Sequence, residues 1–488
     1  MTSDVMRRYS KSENWYSDSA IFRCVAIVGT LACPPCAHAA VTISSGATQN
    51  MNCVAGVCTP TAANAVLNVN DLTTMLGSGN TTVNTGSGSL AQQVDDIIVA
   101  VGFNWTSASS LTLDAYRSVT VNQAVADNGS GAVSLVTNDG GSGGALSFGP
   151  TGNLSFLGTT NSLVINGTSY TLENTLTALA AAIASNPAGA YALANSYNAS
   201  HDGTYSQSPV PTTFTGTFEG LGNTVSNITL NNAGKKNNVG GMFAEIGPNG
   251  TVNDISLTGL DMNADRSRSA GGLVGADSQG FLSGIRVSGK IKGGGLTGVG
   301  GLVGSNDGTL NNSSATVTVQ SGKSCAGGLV SANYFMITNS FATGAVTSGA
   351  VAAAGGLVCA NLFEITNSYA TGSVKSGTGS NVGGMVGGND GEITTSYSTG
   401  RVSAPPKSTV GGFVGLNDVN TGITGSYWDT KTSGTDVGIG SGSTSGATGL
   451  TTKQFKAGLP SGFDPTVWAQ SPSINKGFPY LIANPPPQ

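Results

Sequence analysis

Apolar and polar residues alternate over short runs through most of the chain, and glycine, asparagine, aspartate and serine separate the runs. Such alternation is typical of β-strands. The clearest examples are residues 96–101, 111–116, 132–136 and 162–165. Residues 173–184 differ, because they are rich in alanine and leucine, Asn174 can cap their start and Pro187 follows their end. The pattern predicts an all-β chain with one short helical connector at 173–211.

A unit of about 28 residues recurs between residues 239 and 430. Each copy carries two neighbouring glycines followed by an apolar residue. The first glycines of the copies are Gly240, Gly271, Gly300, Gly327, Gly355, Gly383 and Gly411. A period of this length is typical of a solenoid, in which each unit completes its core only by stacking on its neighbours.

Alignment of the units on the first glycine shows which positions repeat. The polar column, six residues on, is Asp277, Asn306, Asn333, Asn361, Asn389 and Asn417. The apolar column ten residues on is Phe281, Leu310, Ile337, Ile365 and Ile393, and nineteen residues on stand Val319, Val346, Val374 and Val402. Between these two, fourteen residues on, stand Ser314, Phe341, Tyr369 and Tyr397.

These columns predict a right-handed parallel β-helix, because equivalent residues of its successive coils lie one strand spacing apart, about 4.8 Å. The aliphatic columns would fill the core. The polar column would form an amide ladder at a turn. The glycine pairs would mark tight corners, where a side chain collides or φ must be positive.

Composition and charge narrow the classes of function. Charged residues make up 9% of the chain and glycines number 73, which is too apolar for a disordered chain and unsuited to a helix bundle. The net charge is -5, and the 20 lysines and arginines are scattered. Because no basic patch could neutralise a phosphate backbone, nucleic acid is not expected as a partner.

The first residues have the features of a leader. Arg7 and Arg8 precede an apolar run at 21–32, and residues 37–39 fit a small-x-small cleavage site. We expect a signal peptide at 1–39 and an exported mature chain without a membrane span. The further divisions that we predict are a degenerate β-solenoid at 40–172, the helical connector at 173–211, the repeat array at 212–430 and a C-terminal cap and tail at 431–488.

Cysteine spacing separates three groups. Cys53 and Cys58 are close in sequence and are expected to form a disulfide in an oxidising compartment. Cys325 and Cys359 occupy different positions within their repeats. We therefore interpret both as small unpaired solenoid residues, with a pair as the minority alternative. The cysteines of the leader are Cys24, Cys33 and Cys36.

The array also resembles a known family. Residues 383–400, which begin Gly-Gly-Met-Val-Gly-Gly-Asn-Asp-Gly, resemble the GLUG motif, named for its Gly-Leu-any-Gly pattern. This motif recurs in large bacterial surface proteins, including adhesins related to filamentous haemagglutinin and some IgA-cleaving peptidases. The flanking segments 186–194, 214–230 and 462–468 are similar to those of filamentous-haemagglutinin-like proteins. The resemblance implies an exported, non-catalytic adhesin.

Candidate catalytic chemistry is sparse. His201 is the one histidine after the leader, and the zinc-peptidase motif His-Glu-x-x-His does not occur. The alternative to an adhesin is a β-helical polysaccharide lyase or glycoside hydrolase, which needs clustered carboxylates. The nearest such cluster is Asp261, Asp265, Arg266 and Arg268. No catalytic residue, cofactor or metal site is predicted.

The predicted mechanism is multivalent contact along one flank of the solenoid. Exposed threonine, serine, asparagine and tyrosine side chains would bind host or neighbouring-cell glycans or matrix proteins. The candidate ligand face is the column Thr343, Thr371 and Thr399. An outer-membrane secretion protein would be a second partner if the chain crosses such a membrane.

Overall fold

The chain folds into a parallel β-solenoid of about 14 turns with three short α-helices among its described residues. The computed structural model describes residues 39–86, 94–232, 239–265, 267–295, 298–418 and 422–487. Residues 1–38 of the predicted leader therefore lie outside the described residues. The β-solenoid fold predicted from the repeats is confirmed.

Four sheets run along the repeat array, and each coil contributes strands to them. The glycine sheet contains Val239–Gly240, Ser269–Ala270, Gly298–Gly300, Ala326–Gly327, Ala353–Gly355, Asn381–Gly383 and Thr409–Gly411. The asparagine sheet contains Val274–Ser278, Val303–Asn306, Val330–Asn333, Val358–Asn361, Val386–Asn389, Val414–Asn417 and Ile439–Gly442. Neighbouring strands in both sheets are parallel and come from successive coils.

Two longer sheets complete the array. The first runs through Met51–Val54, Val57–Pro60, Thr81–Asn84, Leu111–Asp114, Ala132–Val136, Ser162–Ile165, Thr168–Glu173, Ala190–Leu193, Thr217–Glu219, Thr251–Asn253, Phe281–Ser283, Thr309–Asn311, Met336–Thr338, Glu364–Thr366, Glu392–Thr394 and Ile423–Thr424. The second contains Tyr197–Asn198, Thr204–Tyr205, Thr224–Ser226, Thr229–Asn231, Ser256–Ala264, Arg286–Gly293, Ser314–Gln320, Phe341–Ala342, Val346–Thr347, Tyr369–Ala370, Val374–Lys375, Tyr397–Ser398, Val402–Ser403, Ser426–Asp429 and Ala447–Leu450.

Smaller sheets lie at the two ends of the described chain. At the N-terminal end one sheet contains Ala39–Ser44, Ala65–Asn68, Val94–Val99, Val119–Val121 and Leu146–Phe148, and another contains Phe103–Trp105, Ala124–Asp127 and Asn153–Phe156. At the C-terminal end, Trp468–Ala469 pairs with Tyr480–Leu481.

A hairpin divides the solenoid into two halves with separate cores. Ser162–Ile165 pairs antiparallel with Thr168–Glu173 across Asn166 and Gly167, which both have positive φ, as a two-residue hairpin turn requires. Beyond this reversal, strand Ala190–Leu193 serves both halves. Tyr191 and Leu193 join the core of the repeat array, whereas Ala192 and Ala194 join the N-terminal core.

The helices differ from the single connector that the sequence predicts. Helix α1, Val69–Ser78, was not predicted, and it buries Leu72 and Leu76 in the N-terminal core. Helix α2, Leu176–Ser185, is N-capped by the Thr175 side chain rather than by Asn174. The following strands, from Ala190 to Tyr205, join the long sheets, so the predicted connector is mostly part of the solenoid. A short third helix, α3, is Thr452–Phe455.

The C-terminal segment packs laterally on the array. It covers a ladder of stacked rings that Phe341, Tyr369 and Tyr397 form, with centroids 4.7 and 5.1 Å apart. The cap residues that bury this ladder are Phe455, Phe463, Trp468, Phe478 and Leu481. The tail extends further, and Asn484 donates a hydrogen bond to the Ser313 carbonyl at 3.1 Å.

Two disulfides are present among the described residues. Cys53 and Cys58 are joined across an antiparallel hairpin. Cys325 and Cys359 are also joined, so their interpretation as unpaired residues was wrong. The physical reason is the sharp corner at the glycine pair: a Cβ on Gly327 would come within 2.9 Å of the Cys359 nitrogen in the next coil. Cys325 and Cys359, which occupy different positions within their repeats, are therefore brought together at this corner.

Candidate ligand-binding flank

The asparagine column forms a continuous ladder inside the solenoid. The Nδ2 group of each asparagine donates to Oδ1 of the next, at 2.7 to 2.8 Å, from Asn306 to Asn417. All these side chains are fully buried, so they hold the turn together and cannot touch a ligand. The members are Asn306, Asn333, Asn361, Asn389 and Asn417.

Asp277 was wrongly placed in that ladder. The backbone register pairs Ser278, not Asp277, with Asn306, because the strand contains an irregularity after Val274. The Ser278 hydroxyl and the Asn306 Oδ1 atom are both buried and have no hydrogen-bond partner among the described residues. A serine is too short to continue the amide ladder, so the ladder begins at Asn306.

A serine ladder, not predicted from the sequence, runs beside it. The hydroxyl oxygens of Ser313, Ser340 and Ser368 each accept a hydrogen bond from the backbone of the preceding coil, at 3.1 to 3.3 Å. Each hydroxyl also donates to a carbonyl two residues earlier, for example Ser340 to Thr338. The sequence contains the pattern that could have predicted this ladder, a serine thirteen residues after the first glycine of the units that carry it. The function of the ladder is structural.

The glycine pairs pack where side chains cannot fit. A Cβ on Gly328 would lie 2.0 Å from the Gly356 carbonyl oxygen, and one on Gly356 would lie 2.0 Å from that of Gly384. The collision that the sequence predicts is therefore present. The alternative reason, a positive φ, was wrong, because the described glycines of these pairs do not have it.

The predicted threonine face is not a uniform exposed surface. Thr343 and Thr371 are partly buried, and the Thr343 hydroxyl shares a 2.9 Å hydrogen bond with Thr316. Thr399 is only 7% exposed. Two tyrosines of the repeat columns, Tyr369 and Tyr397, are fully buried beneath the C-terminal cap. In this conformation neither of these two side chains can contact a ligand.

A one-residue register shift creates a different exposed surface. The core column contains Leu282, which pairs with Leu310, instead of the predicted Phe281. Phe281 therefore points out of the core and is 41% exposed. The cause is the same irregularity that displaces Asp277.

Phe281 lines an open cleft of about 370 Å³, here called the glycine cleft. Three coils contribute residues 249–251, 279–281 and 307–309, and Phe335 closes one end. The Phe335 ring stacks on Phe363 with centroids 5.1 Å apart, and the two side chains are 40% and 45% exposed. This aromatic pair is an exposed apolar feature of the array that spans two successive coils.

The carboxylates of the predicted enzyme alternative do not form a groove. Asp261 makes an ion pair of 3.0 Å with Lys290, and both side chains are more than half exposed. Arg266 lies outside the described residues. His201 ends a 3₁₀ turn and is exposed. These positions offer no enclosed arrangement of an acid and a base.

A different acidic cluster is buried at the junction of the two halves. Glu219 is 6% exposed, and its Oε1 atom accepts a 2.7 Å hydrogen bond from Asn253. Burial raises the pKa of Glu219 to about 7. Burial and the nearby Glu219 also raise the pKa of Asp254, while Arg286 opposes that shift. No sequence motif identified this cluster, because its members come from successive coils.

Comparison with known proteins identifies the repeat. A family model described as the GLUG motif matches residues 322–347 and 350–375. The chain carries the GLUG motif. The two matched GLUG coils are those that hold the Phe335–Phe363 pair and the Cys325–Cys359 disulfide. The GLUG prediction from residues 383–400 is confirmed for the chain by these neighbouring copies.

Other comparisons add little beyond the GLUG motif. A solved structure described as a candidate immunoglobulin A1 protease from Bacteroides ovatus is similar, with 15% sequence identity and a TM-score of 0.38. The match covers 60% of this chain and 85% of that one. No curated protein sequence matches the chain. Within the described residues, no helix is long and apolar enough to cross a membrane.

Proposed function

We propose that this protein is an exported, adhesin-like β-solenoid that binds glycans or surface proteins without transforming them. The observation that carries this proposal is the exposed Phe335–Phe363 pair beside the glycine cleft. Exposed, stacked rings on a rigid scaffold are costly in water and provide flat contact area for a partner. The binding flank is therefore this aromatic one, in place of the threonine column.

Export is supported by the disulfides. Cys325 and Cys359 lie in successive coils and are linked, as are Cys53 and Cys58. Structural disulfides persist in oxidising compartments and are rare in the cytosol. A secreted or cell-surface location is consistent with both bonds.

Among the described residues, the acidic cluster of Glu219 and Asp254 is the candidate site that we weigh for the enzyme alternative. Glu219 is only 6% exposed and Asp254 is partly buried. A polysaccharide backbone needs an open groove with an acid and a base at its floor. We therefore favour binding over turnover.

The test uses the full exported chain and a double variant, Phe335→Ala with Phe363→Ala. Purified protein is applied to a panel of glycans and matrix proteins, and polysaccharide cleavage is assayed on the same preparation. We expect binding to at least one panel member, a loss of roughly tenfold or more in the double variant, and no turnover. Leu157→Ala, at an exposed position in the N-terminal half, is the matched control.

Clear cleavage of a polysaccharide, or a panel with no bound member, would contradict the proposed function. If the double variant still binds, the adhesin function is retained, but the aromatic flank is rejected as its binding surface.

A further inference from the structure

The glycine cleft has a floor that the fold itself keeps empty. Gly250, Gly280 and Gly308 occupy equivalent positions in three successive coils. A Cβ on Gly280 would lie 1.9 Å from the Gly250 carbonyl oxygen, and one on Gly308 would lie 2.1 Å from that of Gly280. Because a side chain at any of these three glycines would clash with neighbouring atoms, bare backbone lines the cleft here and forms a trough along the sheet.

Aromatic rings border this trough. Phe281 directly follows Gly280 and lies beside the trough. Phe335, in the coil after Gly308, takes the same register position as that glycine. Stacking on Phe363 holds the Phe335 ring in place before any ligand arrives. Pre-organised walls lower the entropy cost of binding. A flat ligand with apolar C–H faces fits such walls.

Apart from the rings and glycines, the lining residues that the structure describes are polar, and none of them is basic. Asn249, Gln279 and Asp307 place exposed amide and carboxylate groups at the rim. Asp307 is positioned in part by Ser305, whose hydroxyl donates to it at 3.1 Å. Amides and a carboxylate suit a ligand rich in hydroxyl groups. The described lining residues include Asp307 and neither lysine nor arginine, so an anionic ligand would meet repulsion from them.

We propose that the glycine cleft is a subsite for neutral or N-acetylated hexopyranose units of a glycan, and that it discriminates against uronic acids and sulfated sugars. The inference rests on the proposed function. The sugar ring packs against Phe281 and Phe335, while its hydroxyl groups bond to Asp307, Gln279 and Asn249. The cleft spans three coils at about 4.8 Å each, which suits a short oligosaccharide lying along the solenoid.

The experiment is titration calorimetry of the full chain with three probes: cellotriose, chitotriose and trigalacturonic acid. We expect the chain to bind cellotriose or chitotriose and not to bind trigalacturonic acid. Phe281→Ala and Phe335→Ala each weaken that binding roughly tenfold. Both side chains are exposed, so the fold tolerates their loss. Leu157→Ala serves as the control and leaves binding unchanged.

A charge reversal separates this inference from the proposed function. Asp307→Lys removes the repulsion and is expected to admit trigalacturonic acid, while binding of the neutral probe falls. Preference of the native chain for the acidic probe overturns the inference, as does neutral binding that both phenylalanine variants retain. If the chain binds no sugar but binds a protein of the wider panel, the sugar subsite fails and the adhesin function stands.

Discussion

At the scale of single residues, the junction between the two halves of the solenoid raises the pKa of Glu219. Its strand position pairs it with Ala192, whose side chain belongs to the N-terminal core. The side chain is thereby removed from water, and one carboxyl oxygen, Oε2, has no hydrogen-bond partner within the part of the chain that the structure describes. Burial disfavours the charged form, which is why the pKa rises to about 7.

Replacement of Glu219 by glutamine should make the protein more stable at alkaline pH. In the unfolded chain the carboxyl ionises near 4.5, and in the folded chain near 7. The folded state therefore binds the proton more tightly, and stability falls as pH rises from about 4.5 to 7. The cost above pH 7 is on the order of 3 kcal/mol, and Glu219→Gln removes it.

Thermal melting from pH 4.5 to 8.5 checks this expectation. The Tm of Glu219→Gln should match that of the native chain near pH 4.5 and exceed it at pH 8. Glu392→Gln, at an exposed position, is the matched control and should track the native chain throughout. A constant Tm difference across the pH range would show that ionisation of Glu219 is not the cause.

Residue-level prediction from the sequence succeeded where repeats are regular and failed where one residue is inserted. A fixed offset from the first glycine finds Asn306 and Leu310 correctly. The same offset selects Asp277 and Phe281, although Ser278 and Leu282 take the structural positions. The strand absorbs the extra residue locally, and nothing in the composition marks where it does so.

At the scale of elements, the cap and the aromatic ladder form one packing unit. Trp468 is 1% exposed, and its ring centroid lies 6.1 Å from that of Tyr369 and 5.8 Å from that of Tyr397. The Tyr397 hydroxyl donates to the Pro479 carbonyl at 2.6 Å. The cap thus seals rings that the stack itself would leave facing water.

Trp468→Ala should release the cap while the array remains folded. Loss of a buried tryptophan typically costs about 3 to 5 kcal/mol, and the array has its own core of aliphatic residues. We expect faster tryptic cleavage at Lys453 and Lys456 and increased binding of a hydrophobic dye. Ile482→Ala, at a half-exposed position of the tail, is the control. Global unfolding of Trp468→Ala would show that the cap is indispensable to the array.

The sequence predicted the register of this ladder and missed its environment. Tyr369 and Tyr397 were found by their spacing, because stacking preserves position. Their burial depends on residues 455–481, and no periodic signal relates that segment to the array. Contacts between a repeat and a non-repeated segment are invisible to pattern analysis for this reason.

At the scale of the whole molecule, stability is a sum over neighbouring coils. Within the described repeat array, the strands of each coil pair with those of the coils before and after it. The Cys325–Cys359 disulfide adds a covalent link between two successive coils, closing a loop with a sequence separation of 34. We expect this link to suppress local opening in the middle of the array.

Removing the link with Cys325→Ala and Cys359→Ala together should destabilise that region by about 3 to 4 kcal/mol, since the unfolded loop regains its freedom. Hydrogen exchange read out on peptides from 320 to 365 measures the effect. Removal of the Cys53 and Cys58 pair, which closes a much shorter loop, should change exchange only near 51–60. Equal loss of protection along the entire array would contradict the nearest-neighbour account.

The shared strand Ala190–Leu193 gives the molecule an internal reference. Tyr191 belongs to one core and its immediate neighbour Ala192 to the other. Spectroscopic probes at these two adjacent positions would therefore lie in different hydrophobic cores. A change in the packing of either core could be read from this one strand.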